Sequence, residues 1–425
     1  MHIEGRNSMN NQELWEIVNP VFNTAKSCVQ LDAASGDEDS KQLLGALGFE
    51  PFGSQTSKKP VPPELKEQVK RLFPAYMILL ETRFQSVNRL AESRQTRQIA
   101  DLPCGYTARG IRLSRQGRVY YGLDLPAVID TIRPAVAGII GENSNIRYCA
   151  VDATNYDSLK KAFPDTAHDL MFTTEGLLMY FNQSELEEVF HNIGRILRQY
   201  GGSWVITDRA YFLHDQEVVA ASLKNDPRLI GLYSAITSQA AATTADVKFN
   251  DNVFFDPDDE KVRAFIGNMG FELTEVCMAD FLPDQLGSLR GDPEADEAVR
   301  NVFKKMMFWE LSLKKAADRK PASADRNLPF AAEGRLENGV FSVNIQGRMD
   351  TITAPELLKL FQDTEGTIQA IHVDVSRMEY VSSAGLRVLL MMYKSLEDKE
   401  RFEMTGVNDA VREILETTGF DQFLL

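Results

Sequence analysis

The stretch QIADLPCGYTARGIRLSRQGRVYYGLDLP, residues 98–126, constrains this chain more than any other. An apolar strand runs into a glycine-containing turn, a short helix follows, and a second apolar strand ends on an acid. That succession builds a βαβ unit and the mouth of a nucleotide-type site. Gly105 and Gly110 are read as letting the backbone pass close to a ligand, and Asp124 stands where a carboxylate accepts from both ribose hydroxyls. The same residues also suit an ordinary strand-turn-helix unit in which Asp124 caps the turn at Leu125-Pro126.

The alternation continues downstream. Strand signals fall at residues 98–102, 119–123, 146–151, 170–174 and 203–207, with helical stretches between them, among them 184–198, where Ser184 and Glu187 have capping-box spacing. Such a pattern predicts an α/β fold: a mostly parallel sheet covered on both faces, with ligands at the carboxyl ends of its strands. Residues 10–90 read as a helical cap, interrupted by a loop at 53–63, and Pro74 is expected to kink the helix that precedes the sheet. Residues 208–251, rich in Ala and Thr, read as helices or a lid over the substrate pocket. A further helix is expected at 258–269, a strand at 271–278, and a last long helix at 295–315, whose Met306-Met307-Phe308-Trp309 cluster reads as core or a domain contact.

With 425 residues, the chain has room for two domains. Residues 1–8 contain Ile-Glu-Gly-Arg and read as a tag remnant, which makes Met9 the expected natural start; 9–315 form the first domain, 316–333 a Pro-, Ala- and charge-bearing linker, and 334–425 a second α/β domain. The net charge of -15 argues against nonspecific attraction to nucleic acid or an anionic membrane surface. The four cysteines lack metal-like or disulfide spacing, and no apolar run reaches the length of a membrane helix. A soluble protein of a reducing cytoplasm, with no metal, fits these features.

Three acids end successive strands: Asp124, Asp152 and Glu175. A parallel sheet brings those ends to one rim, so Asp124 can hold ribose hydroxyls, Asp152 an adenine amino group, and Glu175 something beside the reactive end. Asp152 serves equally as an N-cap. Glu175 is followed by Gly-Leu-Leu-Met-Tyr-Phe, an odd composition for a solvated loop.

These elements resemble the leucine carboxyl methyltransferase-like family of S-adenosylmethionine-dependent O-methyltransferases. Tyr121 to Ile129, YGLDLPAVI, is similar to the family's strand-Asp-Leu-Pro-x-Val element, Val151-Asp152-Ala153-Thr154 to its following Asp-Leu, and Thr174 to Phe181, TEGLLMYF, to its Glu-Gly-Leu-Leu-Met-Tyr-Leu signature. The resemblance implies a Rossmann-like class I methyltransferase with S-adenosylmethionine as cofactor, contacted at Gly105, Asp124, Asp152, Ala153 and Glu175. The family's glycine loop differs here, reading Leu102-Pro103-Cys104-Gly105-Tyr106-Thr107-Ala108. A family arginine that pairs with the cofactor's carboxylate aligns near Glu81-Thr82-Arg83, which puts Glu81 at that position; Arg83 either supplies the charge from an offset helix or is a surface residue. Tyr180 either orients the methyl acceptor or packs in the core, and His214 is either a base, if the acceptor needs one, or an ordinary surface histidine, the more common case.

The second domain resembles the STAS fold of anti-sigma-factor antagonists. Gly347-Arg348-Met349-Asp350 with Thr353 to Leu357, and Asp374-Val375-Ser376 followed by Tyr380 to Leu390, are similar to the family's strand and phosphoacceptor loop. By position Ser383 is the phosphoacceptor, and Ser382 replaces the family's Asp. Either serine can be a phosphorylation site or an ordinary N-cap. The expected function is methylation of a carboxylate or hydroxyl on a small molecule or peptide, with the STAS domain engaging a kinase or anti-sigma-like partner; the alternative is a non-catalytic adaptor in a partner-switching pathway.

Overall fold

A computed structural model describes residues 22–52, 71–96, 98–243, 252–314, 329–350, 352–418 and 420–424. The expected tag remnant and most of the expected linker lie outside these residues. The chain divides into two compact units, one covering Phe22–Arg319 and one containing Lys320–Leu425.

The first unit opens with helices α1 (Phe22–Ser35), α2 (Glu38–Leu47) and α3 (Phe73–Ser93). Pro74 does not kink α3: it sits in the first turn, where its missing N–H removes no helical hydrogen bond. The sheet follows as β1 (Gln98–Asp101), α4 (Arg109–Arg115), β2 (Val119–Asp124), α5 (Pro126–Ile140), β3 (Ile146–Ala150), α6 (Tyr156–Lys161), β4 (Leu170–Thr174), α7 (Gln183–Tyr200) and β5 (Gly202–Ile206). Then come α8 (Asp208–Ser222), α9 (Pro227–Thr243), α10 (Asp259–Asn268), β6 (Phe271–Cys277), α11 (Pro293–Phe303) and β7 (Met307–Leu313).

Strand order is β3-β2-β1-β4-β5-β7-β6. The first five strands are parallel, and β7 inserts antiparallel between β5 and β6. The expected long helix at 295–315 is therefore wrong in its second half. Helix α11 ends at Phe303, and Met307 to Leu313 form a strand with Phe308, Trp309 and Leu311 buried. No Gly or Pro separates the two elements, and an apolar run buried inside a sheet carries no period that distinguishes it from a buried helix.

Helix α7 shows why the layers hold. Leu186, Val189, Phe190, Ile193, Ile196 and Leu197 form a buried stripe on the sheet, each worth about 1.5–3 kcal/mol of apolar burial. Phe190 meets Trp204 of β5 with ring centroids 4.6 Å apart. The capping box of α7 lies two residues earlier than its expected position: the Asn182 side chain accepts from the Glu185 N–H and the Glu185 carboxylate accepts from the Asn182 N–H.

The second unit has strand order β11-β10-β9-β8, built from β8 (Ala331–Glu337), β9 (Val340–Met349), β10 (Ala370–Val381) and β11 (Phe402–Thr405). Helices α12 (Ala354–Gln362), α13 (Ser383–Ser395), α14 (Asp409–Thr418) and α15 (Asp421–Leu424) complete it. Strands β9, β10 and β11 are parallel, whereas β8 is antiparallel to β9. Strand β8 starts at Ala331, inside the stretch read as linker, and turns into β9 at Asn338-Gly339, whose φ angles of 50° and 81° are those of a tight hairpin. Phe341, Val343, Ile371, Val373, Leu386 and Leu389 lie in the separate core of this unit. Among the described residues, no helix is long and apolar enough to cross a membrane.

Candidate functional site

Chain order reverses direction across the sheet between β1 and β4, since β2 lies on one side of β1 and β4 on the other. A crevice opens at the carboxyl ends of strands at such a switch point, because their connections leave toward opposite faces. The loop after β1 and the turn after β4 therefore form the rim on which the candidate residues fall.

Gly105 adopts φ 50°, and a side chain there would meet no atom within 4 Å, so the loop bares its backbone to open space. Across the rim, one Asp124 oxygen accepts from the Gly105 N–H at 2.7 Å and the other from the Leu125 N–H at 2.7 Å. Burial pushes the Asp124 carboxyl up to about 7, against the opposing pull of those two N–H groups. The expectation for Gly110 fails. A β-carbon there would lie 2.8 Å from the Tyr120 ring and from the Tyr148 hydroxyl, so this glycine lets α4 settle on the sheet rather than letting a ligand approach.

Asp152 is buried beyond the end of β3, and one of its oxygens accepts from both the N–H and the hydroxyl of Thr154, at 2.7 and 2.6 Å. The N-cap of α6 is instead Asn155, whose side chain accepts from the Ser158 N–H. Ala153, also buried, has its carbonyl held by the Asn192 amide at 3.0 Å. The acid and the alanine after β3 are thus fixed by separate bonds.

Glu175 lies at the centre of a charged cluster that sequence reasoning did not find. Arg109, 1% exposed, places Nη1 2.5 Å from Glu175 and 2.6 Å from Asp101, while its Nε donates to Asn88 Oδ1 at 2.7 Å. Arg83 Nε stands 3.8 Å from Glu175, and its guanidinium lies 5.7 Å from the Tyr211 ring centroid. Arg83 faces the rim, whereas the Glu81 carboxylate turns away to accept from the N–H groups of Gly287 and Ser288 at 2.5 and 2.9 Å.

Asp208, the first residue of α8, was also missed. Its carboxylate accepts from the N–H groups of Gly176, Leu177 and Leu178 at 2.6, 3.0 and 2.8 Å, so one buried acid gathers the turn after β4. From the other side, the Asn252 amide donates to the carbonyls of Leu178 and Phe181. Tyr180 ends the short 3-10 turn Leu178–Tyr180 between these anchors and is half-buried. His214 pairs with Glu217 at 2.8 Å, and Glu217 also takes Lys305, so this histidine belongs to a surface ion-pair chain. His168 bonds Gln98 at the opening of β1, at the opposite edge of the sheet from the rim. Among the described residues, no group of three or more His, Cys, Asp or Glu side chains could hold a metal ion.

In the second unit, Ser382 is the N-cap of α13: its hydroxyl accepts from the Gly385 N–H, and only 1% of the residue is exposed. Ser383 opens the helix, and its side chain lies outside the described set. Beside them Asp350, buried, accepts from the N–H groups of Ile352 and Thr353 at 3.0 and 3.1 Å.

A mostly parallel α/β sheet with a bared glycine loop facing a strand-end acid at its switch point is the frame of a nucleotide-type site. Residues 21–194 match the family described as leucine carboxyl methyltransferase and residues 335–425 the family described as Mlab, STAS domain. The chain thus joins a leucine carboxyl methyltransferase-type unit to a C-terminal STAS domain. Its C-terminal part is 29% identical over 84 residues to an anti-sigma-B factor antagonist of Listeria monocytogenes, covering 19% of this chain and 72% of that protein. Among solved structures, an anti-sigma factor antagonist from Mycobacterium paratuberculosis is 26% identical, covering 22% of this chain and 81% of that one, with a TM-score of 0.20. Human N-acetylserotonin methyltransferase, solved with SAM, is 12% identical over 71% of this chain and 70% of that one, with a TM-score of 0.30.

Proposed function

We propose that the first unit is an S-adenosylmethionine-dependent O-methyltransferase acting on a carboxylate of a small molecule or peptide, and that the STAS domain is its regulatory or docking module. The observation that carries this reading is the Asp124 carboxylate beside the Gly105 N–H at the switch point of the sheet.

The residues fit the cofactor. The loop at Gly105 is open to an adenosine, Asp124 offers two oxygens to ribose hydroxyls, and Asp152 is held rigidly enough to accept from an adenine amino group. Nearby, Arg109 Nη2 and Asn88 Nδ2 are buried without a hydrogen-bond partner among the described residues, an arrangement that favours a polar ligand. When bound, the cofactor supplies a methyl group made electrophilic by its sulfonium. The chain's task is then to hold the acceptor oxygen in line and exclude water. In this reading Arg83 and Glu175 frame the amino-acid end, and Tyr180 orients the acceptor from a turn fixed by Asp208 and Asn252.

A carboxylate acceptor attacks as the anion it already is at neutral pH and needs no base. His214 is engaged with Glu217 and His168 sits at the opposite edge, while burial pushes the Tyr211 phenol up and out of the range of a base. For the STAS domain, the burial of Ser382 favours docking through its surface over phosphorylation of that serine; a kinase or anti-sigma-like protein is the class of partner proposed.

The test is methyl transfer from labelled S-adenosylmethionine to cell-lysate components, followed by mild alkali. Label released as methanol is the expected result. Alkali-stable label would move the acceptor to a hydroxyl or amine, and no transfer would favour the non-catalytic adaptor.

A further inference from the structure

Helix α8 begins with two charged residues that hold different stretches of backbone. Asp208 gathers the N–H groups of Gly176, Leu177 and Leu178, and its neighbour Arg209, 1% exposed, reaches the other way. Arg209 Nη1 donates to the carbonyls of Phe254 and Asp256 at 3.1 and 2.6 Å, while Nε and Nη2 meet one Asp259 oxygen at 3.1 and 2.5 Å. A guanidinium carries its donors in a rigid plane, so bonds to three residues at once lock the segment they bracket. That segment opens with Asn252, which caps the 3-10 turn Val253–Phe255 through its Oδ1 and donates from Nδ2 to the carbonyls of Leu178 and Phe181 at 3.0 and 2.7 Å. Phe254, fully buried, seats the turn against Phe190 and Trp309. Residues 176–181 are thereby gripped from both sides by consecutive residues of one helix, directly by Asp208 and through Asn252 by Arg209.

We propose that Arg209 is a positioning residue for methyl transfer: through Asn252 it sets the turn from which Tyr180 orients the acceptor. This inference rests on the methyltransferase reading and on that role of Tyr180. Its physical content is distance, since a misplacement of about 1 Å can cost on the order of 100-fold in rate even when its cause lies far from the chemistry. The hydrogen bonds of Arg209 go to none of the residues assigned to the cofactor, so cofactor affinity should not follow their loss.

The test uses the full chain and reads amide exchange in the turn, calorimetry with S-adenosylhomocysteine, and transfer of labelled methyl from S-adenosylmethionine to cell-lysate components. Arg209→Lys keeps the charge but cannot span the three partners. Exchange at Tyr180 and Phe181, whose N–H groups bond the carbonyls of Leu177 and Leu178, should accelerate about tenfold. Gly176, Leu177 and Leu178, still held by Asp208, should keep their protection, which also shows that the variant is folded. Transfer should fall by about tenfold or more at unchanged S-adenosylhomocysteine affinity. Asn252→Asp removes both donated bonds yet keeps the acceptor for the Phe254 N–H, and should reproduce this pattern. Adding Arg209→Lys to it should cost nothing more, because the two residues act in series. Asp259→Asn, at a half-exposed position, loosens Arg209 without burying a lysine and should give the same pattern at smaller size. Untouched exchange at Tyr180 and Phe181, additive losses in the double variant, or S-adenosylhomocysteine affinity that falls as far as transfer overturns the role of Arg209 while leaving the methyltransferase reading intact. No transfer by the unaltered chain overturns both.

Discussion

The Asp124 carboxylate accepts a hydrogen bond from the Gly105 N–H at 2.7 Å, bridging the ends of two neighbouring parallel strands across the mouth of the sheet. Desolvation holds this acid near pH 7, so its charge changes in the range where the protein would work. Hydroxyl recognition needs the carboxylate form. Affinity for S-adenosylmethionine is therefore expected to be constant above pH 8 and to fall as pH drops below 7, by up to about tenfold per unit. Calorimetry between pH 5.5 and 8.5 measures this, and a flat profile would count against Asp124 as the titrating group.

The same shift has a stability consequence of defined sign. The folded carboxyl is raised from 3.8 to about 7, so between those values the folded state holds a proton that the unfolded chain has released. Asp124 then makes stability decline as pH rises through that window, and the effect is flat above it. Thermal melts of Asp124→Asn, which cannot ionise, should gain on the unaltered chain between pH 4 and pH 7. A constant difference between the two would exclude the linkage.

Arg109→Met should be costly. It leaves Asp101 and Glu175 without the cation that both of them meet at 2.5–2.6 Å in a buried setting. Breaking one side of such a pair typically costs about 3–5 kcal/mol. Urea unfolding of the first unit measures it, and a negligible loss would mean that the cluster is better hydrated than its burial implies.

Asp208→Ala removes the acceptor shared by three N–H groups of the turn that carries Tyr180. Amide exchange at Gly176, Leu177 and Leu178 should accelerate by more than an order of magnitude, since each bond to a charged group contributes about 1.5–3 kcal/mol. Asp208→Asn should restore part of that protection, because one amide oxygen can still accept. Unaltered exchange would show that the turn is held by Asn252 alone.

Ser382→Ala should destabilise the STAS domain by about 1 kcal/mol through loss of its N-cap. Denaturant unfolding followed at the second unit tests this. Phosphate found on Ser382 after incubation with cell extract would contradict the burial argument, because the hydroxyl would first have to leave the helix end.

Much of this fold is visible in the chain itself. Parallel strands buried on both faces read as short apolar runs between polar turns, so β1 to β5 lie within a residue or two of their expected limits. Strand β7 was hidden because MMFWELSL follows a helix with no breaker between them. Strand β8 was missed: its residues alternate weakly beside a linker-like composition, although Asn338-Gly339 behind it is a strong hairpin signal. The rim acids Asp124, Asp152 and Glu175 could be named from their places at strand ends. Arg109 and Asp208 could not, because their partners are chosen by the folded arrangement: Asp208 serves a turn 30 to 32 residues earlier, and Arg109 serves two different strand ends.

Titration of the full chain with S-adenosylmethionine, beside Asp124→Ala, tests the central claim most directly. The account predicts saturable binding at a single site and its loss in the variant. No binding by the unaltered chain, or binding that Asp124→Ala leaves unchanged, would contradict it.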